Sequence, residues 1–518
     1  MIKKTIAAVA MAACGCAWGS TYTSLPASPA SCAILSEVVI KQRELIEPAY
    51  LADEFEKSVT GQCLTSEQMA EAVMALESAV HQAGFIMAQV SVPPQNVSDG
   101  TLTLHYLPGY LSGYRNKDNG EARFGLNLIF PQRADGQLNI RDTELGMTHL
   151  NQLPGLGAQA SVLPDPEKDG SSVIEISQQK QRSVRGSLGI NNYSSPSTGT
   201  WKINNRLFIE NPFQLYDRLF IYTERDLDRQ TKKGSRMLYG QYRIPVQRWE
   251  FLVGGSYSEH RQHVLSHPLN RNKTDYFSRR KTLDVSVSRK LLLTPQHDMT
   301  LSGGLSVITR SETADNAPLP TALRRSVYWN TGLAHSYQHP DFSLKYQLTY
   351  KHSTKAFGAL SYEQYRAKLT RQLTLENQLI VPFRIGKQDF YYEGELRGVV
   401  NSGRSDMMDY VTLSDRYAVR GYPFSYGMNA GRGIISRNEI GWLRALPGHT
   451  LYFAADGGMF GTKTRTEKSR GWLAGSEIGI KGFYKSFGYN LFAGIPLKNI
   501  DNTRTFPAST GFSVSVSY

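Results

Sequence analysis

The sequence has no long apolar run beyond its first 20 residues, and it has none of the common catalytic motifs. No later window offers the ~18 uncharged apolar residues that a membrane-spanning helix needs, so membrane insertion would require a β-barrel. The mean hydropathy of −0.37 fits a barrel as well as a soluble secreted protein, because alternating strands average out. There is no G-x-S-x-G elbow, phosphate-binding loop or H-E-x-x-H pair, so nothing predicts an enzyme or a cofactor.

The first 20 residues have the order of a secretory signal peptide. Lys3 and Lys4 precede an apolar run over Thr5–Cys16, and Ala17-Trp18-Gly19-Ser20 follows. This order predicts export. We therefore expect residues 1–20 to be removed, which leaves a short N-terminal segment over 21–31.

Cysteine is scarce, with only four in 518 residues. Cys14 and Cys16 lie in the predicted signal, which leaves Cys32 and Cys63 to form a disulfide in an oxidising compartment. A lipid anchor on Cys14 or Cys16 is the alternative, although the residues before each fit a lipidation motif poorly.

The charge is unbalanced, with a formal net charge of +13. Such a charge favours anionic lipid or polyanionic surface sugars as neighbours. Basic clusters with interleaved aromatic residues are absent, so the sequence argues against nucleic acid as a partner.

Two small α+β modules are predicted before the pattern changes at Arg182. The first, 32–110, is predicted as a strand from Ile34 to Ile40, helices over Glu44–Lys57 and from an N-cap at Ser66 to Gly84, and strands over Phe85–Val92 and Thr101–Leu107. The second, 111–182, is predicted as a strand through Leu126, Leu128 and Phe130, a helix over Ile140–Leu153, and a hairpin of Ala158–Leu163 with Ser172–Ser177.

From residue 183 to 518 apolar and polar residues alternate in short runs. Val184, Leu188 and Ile190, for example, share one face of a strand. Long polar connections alternate with tight ones, which is typical of an outer-membrane barrel. The runs begin near residues 183, 199, 217, 235, 248, 276, 296, 324, 341, 360, 390, 432, 450, 471, 487 and 509, and they predict a 16-stranded antiparallel transmembrane β-barrel.

Two features bear on the number of strands. The connection from Arg371 to Gln388 is too long for a tight turn and holds Leu375 and Leu379, so a hidden strand pair there would change the number by two. The last run, Gly511–Tyr518, alternates throughout and ends on an aromatic residue that suits the membrane interface. A secreted β-sandwich is the alternative interpretation of the alternation.

One interval between two predicted strands, 402–431, is long, irregular and rich in Gly, Asp, Ser and Arg. Connections of that length are usually functional or disordered. It contains Tyr417-Ala418-Val419-Arg420-Gly421-Tyr422, and we predict that the surrounding barrel serves to hold this stretch.

Motifs in five places resemble the outer-membrane transporters of two-partner secretion, within the superfamily of barrel-assembly factors. The match covers nearly everything after residue 30. Gly61–Thr65 and Pro108-Gly109 resemble the first periplasmic POTRA module; Leu138–Asp142 and Leu150–Pro154 resemble the second; Val419–Tyr422 resembles the signature of the sixth extracellular loop; Arg437-Asn438-Glu439 and Phe453–Gly458 resemble the motifs of the next two strands.

The resemblance implies that loop 402–431 folds back into the lumen and that Arg420 bridges to Asp456. Strand alternation turns Asp456 inward if Phe453 and Met459 face lipid, and the same logic turns Glu439 inward. A planar guanidinium that makes two hydrogen bonds to a carboxylate suits such an anchor. The alternative is an Arg420 exposed on an extracellular loop.

The remaining loop-anchor and gating residues come from the same motifs. Gly421 lets the backbone turn tightly and Tyr422 packs at the loop tip, while Val419 and Gly458 complete the set.

Family members commonly place an N-terminal helix in the barrel as a plug. Segment 21–31 is too short and too rich in proline for that helix, so we expect no plug and more of the closure from the loop.

The resemblance also implies a function, a location and a partner. We expect a monomeric pore in the outer membrane of a Gram-negative bacterium, with its POTRA modules in the periplasm and lipid around its barrel. It would recognise one large exoprotein, β-helical and with an N-terminal secretion domain, and translocate it unfolded without ATP. An assembly factor that inserts outer-membrane proteins is the alternative; a passive porin would not need the modules.

Two other candidate sites are set aside. His260, His263 and His267 lie three and four residues apart in one predicted loop and suggest a metal, but the segment has no helix signals and they suit exposure to solvent, so no metal site is predicted. Glu439 and Glu477 suggest an acidic pair for hydrolysis, but ion pairing in the lumen is favoured, so no catalytic residue is predicted.

Overall fold

The computed structural model describes residues 32–117, 124–179, 182–194, 198–227, 233–265, 273–319, 324–359, 369–402, 410–413, 416–423, 429–463, 468–498 and 507–518. The predicted signal peptide and segment 21–31, where we expect no plug, lie outside them. The chain divides between Gln181 and Arg182 into two compact units. Among the residues described, no helix has the length and apolar character needed to cross a membrane.

The first module packs two helices on small sheets. Its elements are β1 (Ala33–Ile34), β2 (Glu37–Lys41), α1 (Tyr50–Val59), β3 (Cys63–Leu64), α2 (Ser66–Gln82), β4 (Gln89–Ser91) and β5 (Thr101–Leu107). β5 is central, parallel to β2 and antiparallel to β4, and it contributes Leu102 and Leu104 to a buried core with Phe55 and Val80. Cys32 and Cys63 form a disulfide with their Cα atoms 5.2 Å apart.

Three predictions for this module need correction. The helix predicted from Glu44 begins at Tyr50, because Pro48 has no N–H and disfavours helical geometry in the residue before it. The N-cap of α2 is Thr65 instead of Ser66: its hydroxyl accepts from the Gln68 N–H, and the Gln68 side chain accepts from the Thr65 N–H. The strand predicted over 85–92 occupies only β4.

The second module is a three-stranded sheet with two helices. Its elements are β6 (Tyr110–Asn116), α3 (Phe124–Ile129), α4 (Ile140–Asn151), β7 (Ala158–Pro164) and β8 (Ser171–Gln178). β8 is central, parallel to β6 and antiparallel to β7. The strand predicted through Leu126 and Phe130 is wrong, because that segment is α3. Leu126, Ile129 and Phe130 are all buried, and their spacing of three and four residues places them on one helical face.

Gln137 joins the two modules through side-chain hydrogen bonds. Its amide nitrogen donates to the Leu45 carbonyl at 2.7 Å, and its oxygen accepts from the Tyr106 hydroxyl at 3.1 Å. Burial raises the pKa of Tyr106 to about 12, so this hydroxyl keeps its proton and remains a donor. The Ile140 N–H also donates to the Gly84 carbonyl at 2.9 Å. The modules are therefore held together by polar contacts of defined geometry.

The second unit is a closed barrel of sixteen long antiparallel strands, which confirms the predicted fold class. The strands of this unit are β9 (Val184–Asn191), β10 (Lys202–Glu210), β11 (Arg218–Asp226), β12 (Gly234–Val246), β13 (Trp249–Leu265), β14 (Lys273–Leu293), β15 (His297–Ala314), the two-residue β16 (Ala317–Pro318), β17 (Arg324–Gln338), β18 (Ser343–Thr354), β19 (Arg371–Ile385), β20 (Gln388–Ser402), the two-residue β21 (Val411–Thr412) and β22 (Asn429–Ala430), β23 (Arg432–Leu446), β24 (His449–Lys463), β25 (Lys468–Tyr484), β26 (Phe487–Lys498) and β27 (Ser509–Ser517). β27 pairs with β9 and closes the barrel.

The tenth long strand is β19, at 371–385 instead of near 360. The connection that we expected from Arg371 to Gln388 is itself a strand followed by a tight turn, with Ile385 paired to Gln388. Residues 360–368, where the prediction placed the strand, lie outside the described part of the chain. The predicted number of sixteen strands holds, because the tenth strand lies at a different place in the sequence and the described residues form no additional strand pair there.

Side chains on the barrel alternate between an outer and a lumenal face. On β24, Phe453 and Met459 are 53% and 64% exposed on the outside, whereas Asp456 is 4% exposed. His260 and His263 lie on β13 and not in a loop, three residues apart. They therefore point to opposite faces and cannot share a metal ion; His267 lies outside the described residues.

Loss of the disulfide should destabilise the first module selectively. It spans a sequence separation of 31 residues, for which the chain-entropy argument gives about 3.7 kcal/mol. Cys63→Ser should therefore make the N-terminal unit cleavable at lower urea concentration in pulse proteolysis of the full chain. Reductant should lower the wild-type midpoint similarly and leave the variant unchanged. Equal midpoints for variant and wild type would contradict the expectation.

Candidate functional site

The site lies where the connection between β20 and β23 meets the lumenal wall of the barrel. β21 and β22 pair as a small antiparallel ribbon, and the Val419 N–H donates to the Leu413 carbonyl at 3.0 Å. These bonds fold Arg416–Pro423 back on the connection. The loop stretch singled out in the sequence thus has defined backbone partners.

An apolar cluster seats the loop on the inside of the wall. Val419 is completely buried, and Ala418 and Tyr422 are nearly so. The barrel strands contribute apolar side chains here on the lumenal face, where polar residues are usual. We call this group the loop-seat cluster; its members are Val399, Leu413, Ala418, Val419, Tyr422, Ala430, Ile435, Phe460 and Leu473.

Arg420 occupies the centre of the site, and its guanidinium forks around Asp456. Nε donates to Asp456 Oδ2 at 2.7 Å and Nη2 donates to Oδ1 at 2.9 Å. The Arg420 backbone N–H donates to Oδ2 as well, at 3.0 Å. Side chains of both residues are at most 3% exposed. Asp456 therefore binds the backbone and the charge of the loop at once.

Glu439 is the second carboxylate in contact with Arg420. Its Oε2 accepts from Arg420 Nη1 at 2.6 Å, and its Oε1 accepts from the Tyr391 hydroxyl at 2.6 Å and from Lys481 Nζ at 2.7 Å. Two carboxylates thus face two cations, and the cluster has no net formal charge. Removal of one partner from a buried pair of this kind costs roughly 3–5 kcal/mol, because it leaves an uncompensated charge.

Gly421 lets the loop backbone touch the wall. Its φ of +96° is in the left-handed region, and a Cβ there would lie 2.4 Å from the Ile495 carbonyl oxygen. The wall also has glycines at this contact. A Cβ on Gly475 would lie 2.0 Å from the Arg420 carbonyl oxygen, and one on Gly494 would lie 2.9 Å from the Gly421 Cα. Two backbones therefore meet without side chains between them.

The other predicted site residues pack around this contact. The Tyr422 hydroxyl lies at hydrogen-bond distance from the carbonyl oxygens of Ala474, at 3.2 Å, and Lys498. A Cβ on Gly458 would meet Val419 Cγ2 at 3.2 Å. The structure thus brings together all seven loop-anchor residues that the sequence singled out: Val419, Arg420, Gly421, Tyr422, Glu439, Asp456 and Gly458.

Sequence reasoning missed Gly475 and Gly494. Both have lumenal parity, because Gly475 lies two residues from Glu477 on β25, and Glu477 is paired to Gly494. Glycines at lumenal positions of neighbouring strands are a readable signal for close backbone approach. The acidic pair considered for hydrolysis does not form: Glu439 binds Arg420 and Lys481, and Glu477 binds Arg416.

A closed 16-stranded barrel, two small α+β modules before it and a loop anchored in its lumen define the class of outer-membrane barrels with POTRA modules. The family model described as haemolysin secretion/activation protein ShlB/FhaC/HecB matches residues 170–482, and that of the POTRA domain, ShlB-type, matches 34–109. The chain therefore belongs to the ShlB/FhaC/HecB family of haemolysin secretion/activation proteins.

Two curated relatives and one solved structure agree with this assignment. The chain is 28% identical over 475 residues to the outer membrane transporter CdiB-2 of Burkholderia pseudomallei, with 88% of this chain and 79% of that protein covered. It is 24% identical over 427 residues to CdiB of Dickeya dadantii, with 81% and 75% covered. The structure of CdiB from Escherichia coli shares the fold, with a TM-score of 0.86 at 21% identity over 95% of this chain and 92% of that one.

The chain is accordingly an outer-membrane transporter of two-partner secretion, with periplasmic POTRA modules. Its family transports secreted exoproteins, and the relatives are named as transporters and not as enzymes.

Gly421→Ala should loosen the loop much more than Gly458→Ala. A side chain in left-handed geometry costs roughly 1–2 kcal/mol, and the Ile495 carbonyl at 2.4 Å is backbone that cannot move aside. At position 458 only the Val419 methyl must shift by a few tenths of an ångström. Hydrogen exchange of peptides covering 416–423 should be roughly tenfold faster or more in the first variant. Equal exchange in the two variants would contradict the packing argument.

Proposed function

We propose that this protein recognises one large exoprotein in the periplasm and moves it, unfolded, through the barrel to the cell surface without ATP. The proposal rests chiefly on one observation: a loop in the lumen of a closed barrel is held by buried ion pairs. In each pair, one charge belongs to the loop and the other to the barrel wall. Such a loop can be seated or released as a unit, which is what a gate requires.

The periplasmic modules supply the recognition step in this proposal. Each module has a three-stranded sheet with a central strand and two outer strands, so β2 and β4 in the first and β6 and β7 in the second present edges. An extended polypeptide can add to such an edge through main-chain hydrogen bonds. We retain 32–110 and 111–182 as the limits of the two modules.

The barrel supplies the path, and the cargo supplies the direction. Sixteen strands enclose a lumen wide enough for an extended chain. The sequence offers no nucleotide-binding motif, so folding of the exoprotein outside, which we expect to give a β-helix, would drive export. One chain forms one pore in this scheme, since closure of β27 on β9 leaves no barrel edge for strand pairing with a second copy.

Deletion of the chain should abolish surface export of its exoprotein and leave other outer-membrane barrels intact. Export is measured by surface labelling of the exoprotein, and assembly by the heat-modifiable mobility of unrelated barrels. The expected result is loss of the exoprotein from the cell surface, with normal assembly of unrelated barrels. Unchanged export with failed barrel assembly would identify an assembly factor and overturn the proposal.

Exchange of the charges of Arg420 and Asp456 should restore part of the export that each single change removes. Arg420→Asp places a third carboxylate beside Asp456 and Glu439, so we expect it to be the most severe single change. The double variant, R420D with D456R, regains the ion pair, but the new carboxylate still contacts Glu439. Rescue should therefore be partial, and it should improve when Glu439→Gln is added. Equal loss in the single and double variants would contradict the pairing.

A further inference from the structure

A second arginine of the loop, Arg416, is largely buried against the lumenal wall. Its Nη1 donates to Glu477 Oε1, and its Nη2 lies 3.4 Å from the Tyr452 hydroxyl oxygen. The side chains of Arg416 and Glu477 are 12% and 1% exposed. Glu477 is thus a buried carboxylate on β25 whose counter-charge comes from the loop.

Two aromatic rings complete the surroundings of this guanidinium. Arg416 Cζ lies 4.0 Å from the ring centroid of Phe492 on β26 and 5.8 Å from that of Tyr193, which follows β9. The two rings are 5.7 Å apart. Planar stacking on aromatic faces is a contact that arginine makes and lysine does not. Arg416 therefore reaches the wall on both sides of β27, the strand that closes the barrel.

The hydrogen-bond partners of Arg416 are distinct from those of Arg420. Arg420 binds side chains of β23 and β24, Glu439 and Asp456, whereas Arg416 binds Glu477 of β25. Tyr452 donates to Glu477 Oε1 at 2.9 Å and fixes its orientation. Because the two sets of partners do not overlap, either anchor can be broken while the other is intact.

Tyr417 lies between the two anchors and projects into the lumen. It is 71% exposed, although the residues that follow it, Ala418 and Val419, are buried. Its side chain lines a cavity of about 470 Å³ together with Gln347, Glu376 and Gln378 of strands β18 and β19. The largely buried Arg416 thus lies next to an aromatic side chain in the open part of the lumen.

We propose that Arg416 is a second, separable anchor of the loop, a positioning residue whose pairing with Glu477 keeps Tyr417 across the lumen and limits passage. This deepens the proposed gating role of the loop. It differs from the Arg420 anchor in what it controls: Arg420 seats the loop on the wall, and Arg416 sets how far the loop extends into the path.

The test measures ion current through purified full-length protein in planar lipid bilayers, without any exoprotein. Arg416→Gln should raise the occupancy of the larger-current state roughly tenfold, the factor that corresponds to about 1.4 kcal/mol. The double variant R416E with E477R, which exchanges the two charges, should return this occupancy toward the wild-type level. The matched control is Arg437→Gln, which removes another lumenal arginine that lines the same cavity as Tyr417 but pairs with Glu395 at 2.5 Å, between β20 and β23; it should leave the occupancy unchanged.

A second measurement needs no ion current. In a Tyr417→Cys variant, the rate of reaction with a polar maleimide should change several-fold when Arg416→Gln is added. The rate should stay the same when Arg437→Gln is added instead. Heat-modifiable mobility reports whether each barrel is folded. The proposal is overturned if Arg416→Gln matches Arg437→Gln in both measurements, or if it alone prevents barrel folding. Both readouts omit the exoprotein, so they test the anchor alone. Unchanged export in the deletion experiment would count against the transport function and not against the anchor.

Discussion

The loop depends on one charge that has been taken out of water, the guanidinium of Arg420. A buried charge is tolerated only when it is paired and its hydrogen bonds are satisfied. Asp456 and Glu439 satisfy it, but only if the loop backbone comes close enough for the Arg420 N–H to reach the same Asp456 oxygen. That distance dictates Gly421 on the loop and Gly475 and Gly494 on the wall. Burial of the Arg420 charge therefore requires both the carboxylates that pair with it and the glycines that let the two backbones approach.

The lumenal wall is adapted to this loop over a wider area than the ion pairs. The loop-seat cluster places apolar side chains such as Ile435, Phe460 and Leu473 on a face that elsewhere carries polar residues. These side chains exclude water from around Arg420 and strengthen its hydrogen bonds, because electrostatic interactions grow as the local dielectric falls. Apolar packing and ion pairing thus support each other, and neither set of residues alone would fix the loop.

The sequence allows the faces of the barrel to be predicted, but not every partner across it. Alternation along single strands placed Asp456 and Glu439 in the lumen, because parity is a local property. The position of β19 was missed, since its place depends on pairing with β18 and β20, which Leu375 and Leu379 alone do not encode. The short run at Leu126 was misjudged because five residues do not separate a strand from a helix. Arg416 was missed because its partner, Glu477, is 61 residues away.

Ion pairs suit a loop that must move better than apolar packing alone would. Formation of a buried pair brings little net stability, since the desolvation of both charges offsets most of their attraction. If the whole loop leaves its seat into a hydrated lumen, Arg420, Asp456 and Glu439 are all hydrated again, and protein–water hydrogen bonds replace those that were lost. The same charges strongly penalise a partly displaced loop, in which some of them would be buried without partners. The seat therefore favours two states, bound and released, over intermediate positions, as the proposed gate requires.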